Sequence, residues 1–558
     1  MKRQLPARAG WWFPGAIALV VIALLTVLPL LALIKAAGNL DFAGIFESAY
    51  FRRVIRFSFY QALLSALLST AFAIVVAQAF SRRAAFPGRS QLLQLYSLSL
   101  VIPTIVAIFG IVAVYGRTGW FNAMLQPLGL KLFSIYGLAG ILLAHVFFNM
   151  PLATRIFAQS LDNIPSEQWR LATQLRMSSW AQFRWLEWPA MRSALVGVFM
   201  LVFTLCFTSF AIVMTLGGGP RATTIEVAIY QALRFDFDLE SAVTLAIVQL
   251  VFCTSLLLLS AVFKQPPAMG FGLQLPGKLL RPATGSRWVS NLIILVATLF
   301  VVLPLLGLLI SAINPATIKV LMHEKTIRAV TNTTVLALAA AILSVLMGLG
   351  LLITTRHLRI RLRYRLAGQW LQHAGNVILV MPPIVLGTGL FVLLRHVADV
   401  FSLALLLAML INSLMALPFV LRILDGPLMQ AAQQHDRLLQ SLNLSGWNRW
   451  RFIDWPLIRK PLGFAMAVAA TFAAGDLSAI ALFGSDRALT LPLLLYQRMG
   501  SYRLQEAAVT AAILLLLCLL LFLVLQAIFA GGQQNTDNAD NTADTDNHDA
   551  TKLEQREA

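Results

Sequence analysis

Charge is what this 558-residue chain has least of: only 12% of it is Asp, Glu, Lys or Arg, where a soluble domain carries about 25%. Cysteine is scarce too. The three present, Cys206, Cys253 and Cys518, all fall in apolar runs and make no CxxC or zinc spacing, which argues against disulfides and structural metals. There are only seven histidines, and no His, Ser or metal-ligand constellation recurs at one depth, so an enzyme is not expected. Acidic residues are outnumbered by basic ones, 24 to 43. The basic residues sit in short clusters between apolar runs rather than on one soluble domain, so nucleic acid is not the expected partner.

What the chain does have is hydrophobic length: 59% of it is hydrophobic. Runs of about 20 apolar residues, enough to span a bilayer as a helix, recur throughout. Backbone groups in lipid must pair internally, so the expected fold is an all-α polytopic helical bundle. Twelve spans are expected, near 13–36, 57–80, 92–115, 133–158, 194–216, 241–264, 288–313, 329–355, 372–395, 400–424, 461–484 and 507–530. The basic, then apolar N-terminus is too long in its apolar part for a signal peptide and reads as a retained first span. Residues 531–558 are almost devoid of apolar side chains and read as a disordered tail.

The Lys and Arg distribution sets an orientation. With the N-terminus in the cytoplasm, inside segments before the tail carry 26 basic residues and outside segments 15. Both termini are therefore expected in the cytoplasm. The chain also repeats itself. Pro151, Pro189 and Gly217 recur as Pro418, Pro456 and Gly484. "ESAVTLAI" at Glu240 recurs as "EAAVTAAI" at Glu506. This divides the chain into a first six-span repeat (1–264), a linker (265–287), a second repeat (288–530) and the tail. Six spans per half make the repeats parallel, and such repeats place a substrate path at their interface. The linker's "GLQLPGKL" lacks the Ser or Thr of a P-loop and follows no strand, so ATP chemistry belongs to a partner.

The most informative repeat is polar. "RLATQLRMSSWAQFRWLEWP" (170–189) matches "RLLQSLNLSGWNRWRFIDWP" (437–456), with Trp180 on Trp447, Phe183 on Trp450 and Glu187 on Asp454. Local signals predict two short helices joined by a turn. Pro165 and Glu167 fit the start of the first, and Ser178 or Ser445 can cap the second. Trp180, Phe183 and Glu187 are spaced to share one face, making an amphipathic foot at the membrane surface, its Trp and Arg set against lipid. Lipid alone accounts for one foot. Two matched feet on one side suit a pair of identical docking partners.

The spacing resembles the cytoplasmic EAA loop of type I ABC importer permeases. Arg170, Leu171 and Ala172 occupy the E-A-A places, Arg176 the glycine, Phe183 the hydrophobic position and Pro189 the terminal proline. Arg437, Leu438, Leu439, Asn443, Trp450 and Pro456 do so in the second copy. Both copies lack the glycine, so a turn of different build is expected. Further stretches, among them "LGGGPRATTIEVAIYQAL" (216–233) and "FSFYQALLSALLS" (57–69), resemble the fused permeases of bacterial thiamine / thiamine pyrophosphate importers. That resemblance implies two copies of an ABC ATPase binding ATP and magnesium, docked on the feet with Trp180 and Trp447. It also implies a periplasmic thiamine-binding protein and alternating access. No cofactor on this chain is implied. Ferric-iron permeases share the architecture, and an ion-driven secondary transporter would also have twelve spans.

Candidate path residues lie in "FTSFAIVMTLGGG" and "FAAGDLSAIALFGSD". Asp476 is an acid within an apolar span, and such acids often mark a pathway; capping a helix is the alternative. Ser209 sits at its equivalent position. Phe207 and Phe210 could face a cation or simply pack in the core. Tyr230 and Tyr496 are expected outside the membrane, as interface anchors or a gate.

Overall fold

A computed structural model describes residues 12–36, 47–83, 86–98, 102–262, 287–362, 364–375, 378, 381–441 and 447–530. The expected linker (apart from Arg287), the tail and Asn443 lie outside the described residues. All regular structure among the described residues is helical. Eleven of these helices are long and apolar enough to cross a membrane.

The first half contains α1 (Phe13–Ala36), α2 (Ala49–Arg82), α3 (Arg89–Leu98), α4 (Thr104–Tyr115), α5 (Leu138–Asp162), α6 (Ser166–Gln174), α7 (Trp188–Phe207), α8 (Phe210–Leu216), α9 (Ile225–Gln231) and α10 (Leu239–Val262). The second contains α11 (Arg287–Ala312), α12 (Glu324–Arg356), α13 (Arg365–Ala374), α14 (Pro383–Leu394), α15 (Ala404–Ser441), α16 (Trp455–Gly475), α17 (Ser478–Phe483), α18 (Leu491–Gly500) and α19 (Leu504–Ala530). Several hydroxyl side chains inside these helices are satisfied locally. Ser58, Thr70 and Thr333 each donate to the carbonyl four residues back, at 2.6–2.8 Å. This is how a hydroxyl survives where no water is available.

Four of the twelve expected spans are broken. The run 92–115 divides into α3 and α4, and 372–395 into α13 and α14. The latter pieces have 10 and 12 residues, each shorter than a continuous span, so the expected ninth span is built of two pieces rather than one helix. Proline is the physical reason. Pro103 and Pro382 have extended backbones (ψ 134° and 151°) immediately before α4 and α14. Proline supplies no N–H for a preceding turn and disfavours helix in the residue before it. The runs 194–216 and 461–484 also break, at Thr208–Ser209 and at Asp476–Leu477. The breaks fall in matched places in the two halves.

The halves are interlocked. α1 packs on α12 and α14 of the second half, while α11 packs on α2 and α4 of the first. These crossings are close because glycine permits them. Gly389 on α14 faces the backbone of Pro29 on α1, and Gly110 on α4 faces that of Pro304 on α11. At either glycine a Cβ would strike the proline's carbonyl. The Gly15 N–H also donates to Thr354 Oγ1 across the halves, at 3.1 Å.

Candidate functional site

The first foot is built as a turn, a cap and a π-segment. α6 begins after Pro165 and buries Trp169 and Ala172 against the bundle, leaving Arg170 and Leu171 outside. Arg176 then takes φ +48°, the left-handed conformation that glycine adopts freely. The turn is thus of the kind a glycine would make, with arginine carrying the strain, which corrects the expectation of a different build. Ser178 caps the next helix, its Oγ accepting from the Ala181 N–H at 3.2 Å. Phe183–Glu187 forms a π-segment that leads into α7, where Pro189 lies in the first turn and its missing N–H is no loss.

The π-segment overturns the expectation that Trp180 and Glu187 share a face. A π-turn inserts an extra residue per turn and shifts the register. Trp180 is 67% exposed, whereas Glu187 is fully buried. Phe183 bridges the two environments, its ring 5.6 Å from Trp180 and 6.0 Å from Trp188. Leu171, Leu175 and Trp185 are exposed as well. The result is an apolar surface on a polar loop, of the kind that marks a docking site.

The second foot differs at its start. Where the first half has Asn163-Ile164-Pro165, the second has Gln430-Ala431-Ala432. Lacking that proline, α15 runs on to Ser441 without interruption. Arg437 and Leu439 therefore lie on the extended α15 rather than on a separate short helix. Trp447 opens a short helical turn, and Trp450–Asp454 repeats the π-segment before Pro456 in the first turn of α16.

Both feet are anchored by an acid that sequence spacing placed on the wrong face. Glu187 accepts from Gln78 Nε2 at 2.6 Å and pairs with Arg82 at 3.3 Å, both at the end of α2. Arg82 also donates to the Ser179 carbonyl at 3.2 Å. Asp454 receives Arg356, at the end of α12, through two parallel bonds of 3.0 Å, and Arg449 at 3.3 Å. Each foot is thereby fixed to the long helix of its own half. Sequence reasoning counted these arginines only for orientation. The available signal was that α2 and α12 both end in Arg.

At the breaks, Asp476 does what the capping alternative expected. Its carboxylate accepts from the N–H groups of Ser478 (3.2 Å) and Ala479 (3.0 Å) and starts α17. Ser209 stands before α8 without a side-chain cap. Phe207 and Phe210 are buried rather than lining an open passage. Phe207 stacks on Phe203 (6.0 Å, 13°), and Phe210 meets Tyr230 edge-on at 5.4 Å. Tyr230 departs from expectation too. It belongs to α9, a short helix whose residues Ile225 to Tyr230 are all buried. The Ser58 hydroxyl accepts the Ile225 N–H at 3.0 Å, and Thr333 accepts that of Leu491 at 2.8 Å. These two loops are tucked among the long helices because their apolar side chains have a bundle to enter.

α9 packs on α14, and α18 on α4, so each half sends its short helix to the other's broken span. Arg234, following α9, donates to the Gly484 carbonyl at 3.1 Å, joining the halves again. Broken helices with free backbone ends at a repeat interface are where transporters commonly bind their cargo.

Residues 69–265 and 358–533 match the family described as "Binding-protein-dependent transport system inner membrane component". The chain is 44% identical over 527 residues to the "Thiamine transport system permease protein ThiP" of Escherichia coli (strain K12), covering 94% of this chain and 98% of that one. It is 43% identical over 507 residues to the protein of the same name from Brucella abortus (strain 2308), covering 90% and 92%. A more distant likeness, 28% over 239 residues, is to the "Probable sulfate transport system permease protein cysT" of Helicosporidium sp. subsp. Simulium jonesii, covering 42% and 87%.

Proposed function

This chain belongs to the family of binding-protein-dependent transport system inner membrane components, and from that premise we propose that it is the fused permease of an ATP-driven importer of thiamine and its phosphates. It is a multi-pass inner-membrane transport protein rather than an enzyme. Two ATPase subunits, carrying ATP and magnesium, dock on the feet from the cytoplasm, where both termini also lie. A periplasmic thiamine-binding protein delivers the cargo from the other side.

One observation carries the coupling. Each foot is tied to its half by a buried acid–arginine bond, while the described first foot leaves Leu171, Leu175, Trp180 and Trp185 outside. A load applied to those side chains passes through Glu187 into α2, and a load on the second foot passes through Asp454 into α12. ATP binding draws the ATPases and the feet together, the halves rock about their interlocked helices, and access alternates. ATP acts because it binds the closed pair of ATPases more tightly than the open pair, and this difference shifts the permease. Thiamine as cargo is supported by the relatives' names and their end-to-end coverage.

The test is ATP-dependent uptake of labelled thiamine into proteoliposomes holding the chain, its ATPase and its binding protein. Uptake that needs all three components supports the reading. Uptake of ferric iron but not thiamine, or of thiamine without ATP, overturns it.

A further inference from the structure

The two halves are unequal in polarity at matched positions. Ser58 and Thr333 fix the register, since each accepts the first N–H of the short helix in its own half. In that register Gln61 of α2 faces the place of Leu336, Glu226 of α9 that of Pro492, and Gln249 of α10 that of Leu515. The first half alone buries this polar set.

Glu226 is its centre. The side chain is 1% exposed. One carboxylate oxygen accepts from Gln249 Nε2 at 2.9 Å, and the other has no partner. None of the ion pairs found among the described residues includes Glu226 or Asp476. Nearby, Gln249 Oε1, Gln61 Oε1 and Thr224 Oγ1 are buried without partners. The Gln61 oxygen cannot exchange places with its nitrogen cheaply, because Nε2 already donates to the carbonyls of Ser58 (3.2 Å) and Cys206 (3.0 Å).

The buried polar groups here are thus mostly acceptor oxygens, gathered about one carboxylate. A buried carboxylate with one oxygen unpartnered is costly until something positive neutralises it. Aromatic faces are also at hand. Tyr230 lies one helical turn from Glu226 on α9, with Phe210 against it. Carboxylate and aromatic together select an organic cation over a metal ion or a neutral molecule. The place also fits, since α9 and α10 both pack on α14 of the other half.

We infer that Glu226 is the cation-recognising element of the transport path and takes an aromatic organic cation, while Gln249 holds its carboxylate in position. This deepens the importer reading and rests on it. It makes a nearly twofold path one-sided, so that an unsymmetrical cargo passes in a single orientation.

The test uses the full chain in proteoliposomes with its ATPase and binding protein, and compares thiamine with its neutral thiophene isostere. E226Q should lower thiamine turnover by about tenfold or more, the usual scale for removing one partner of a desolvated charge pair, and leave isostere turnover unaltered. E226D, which keeps the charge, should retain the wild-type preference. A merely structural Glu226 would slow both cargoes alike. Equal losses for both, or an undiminished thiamine preference in E226Q, overturns the inference. A binding readout separates this from failure of the importer reading. N-methylthiazolium at millimolar concentration should raise the thermal midpoint of the purified wild-type chain and not that of E226Q. If thiamine uptake is absent but this Glu226-dependent protection is present, the importer reading fails and the cation site stands. If protection is absent or the same in both proteins, the cation site fails.

Discussion

Gly475 packs against Pro103 so closely that a Cβ at position 475 would lie 2.8 Å from the proline's Cβ. The two residues belong to opposite halves, and each stands at a break in its own apolar run. The break before α4 and the break after α16 therefore touch across the interface. Gly475→Ala should cost about 1–3 kcal/mol, as overpacking of a tight contact does, and should slow uptake. A thermal midpoint and a transport rate both at wild-type values would mean that the contact is not held during the cycle.

The exposed indole of Trp180 contributes little to the isolated fold. Trp180→Ala should shift unfolding by no more than about 0.5 kcal/mol. It should weaken capture of the ATPase by tenfold or more, as loss of an aromatic anchor of about 2 kcal/mol does. Trp447→Ala should behave alike. The check is co-purification with the ATPase together with ATP-driven uptake. Normal values for both would remove the docking assignment.

The anchors should behave in the opposite way. Glu187→Ala takes the buried acid from Arg82, and Asp454→Ala takes it from both Arg356 and Arg449. Breaking one side of such a pair costs about 3–5 kcal/mol. Asp454→Ala should be the worse, because two buried ion pairs are broken rather than one. Thermal unfolding of the purified variants ranks them.

Arg176 holds a left-handed backbone at a cost of about 1–2 kcal/mol. Arg176→Gly should raise stability by about 0.5–1 kcal/mol, part of the relief being offset by the freer unfolded chain. Arg176→Val should destabilise, since a β-branched side chain tolerates that conformation worse than arginine. Thermal midpoints of the two variants should fall on either side of the wild type.

Much of this was legible in the sequence because hydropathy and repetition are local or periodic signals. The long helices, the two halves and the feet all follow from them. The breaks were less legible, since an average over a span does not register where the backbone bends. Pro103 and Pro382 were visible, but they sat inside runs apolar enough to read as continuous. Glu226 was passed over because its surroundings read as a loop outside the membrane. The partners of Glu187 and Asp454 were missed for a different reason: Arg82 and Arg356 lie about a hundred residues upstream. No spacing rule reaches that far, whereas the π-segment that turns Glu187 inward has no sequence signature of its own.

The crossing of α1 onto the other half bears on how the protein is made. α1 leaves the ribosome before any of the second half is made, yet its seat is α12 and α14. At about 5–20 residues per second, synthesis takes on the order of tens of seconds to reach them. Throughout that time a nascent first half sits in the bilayer with one helix unclaimed and one groove, that of α11, unfilled. Fusing the halves into one polypeptide keeps the missing pieces on the same thread, so that the wait ends with a neighbour rather than a stranger.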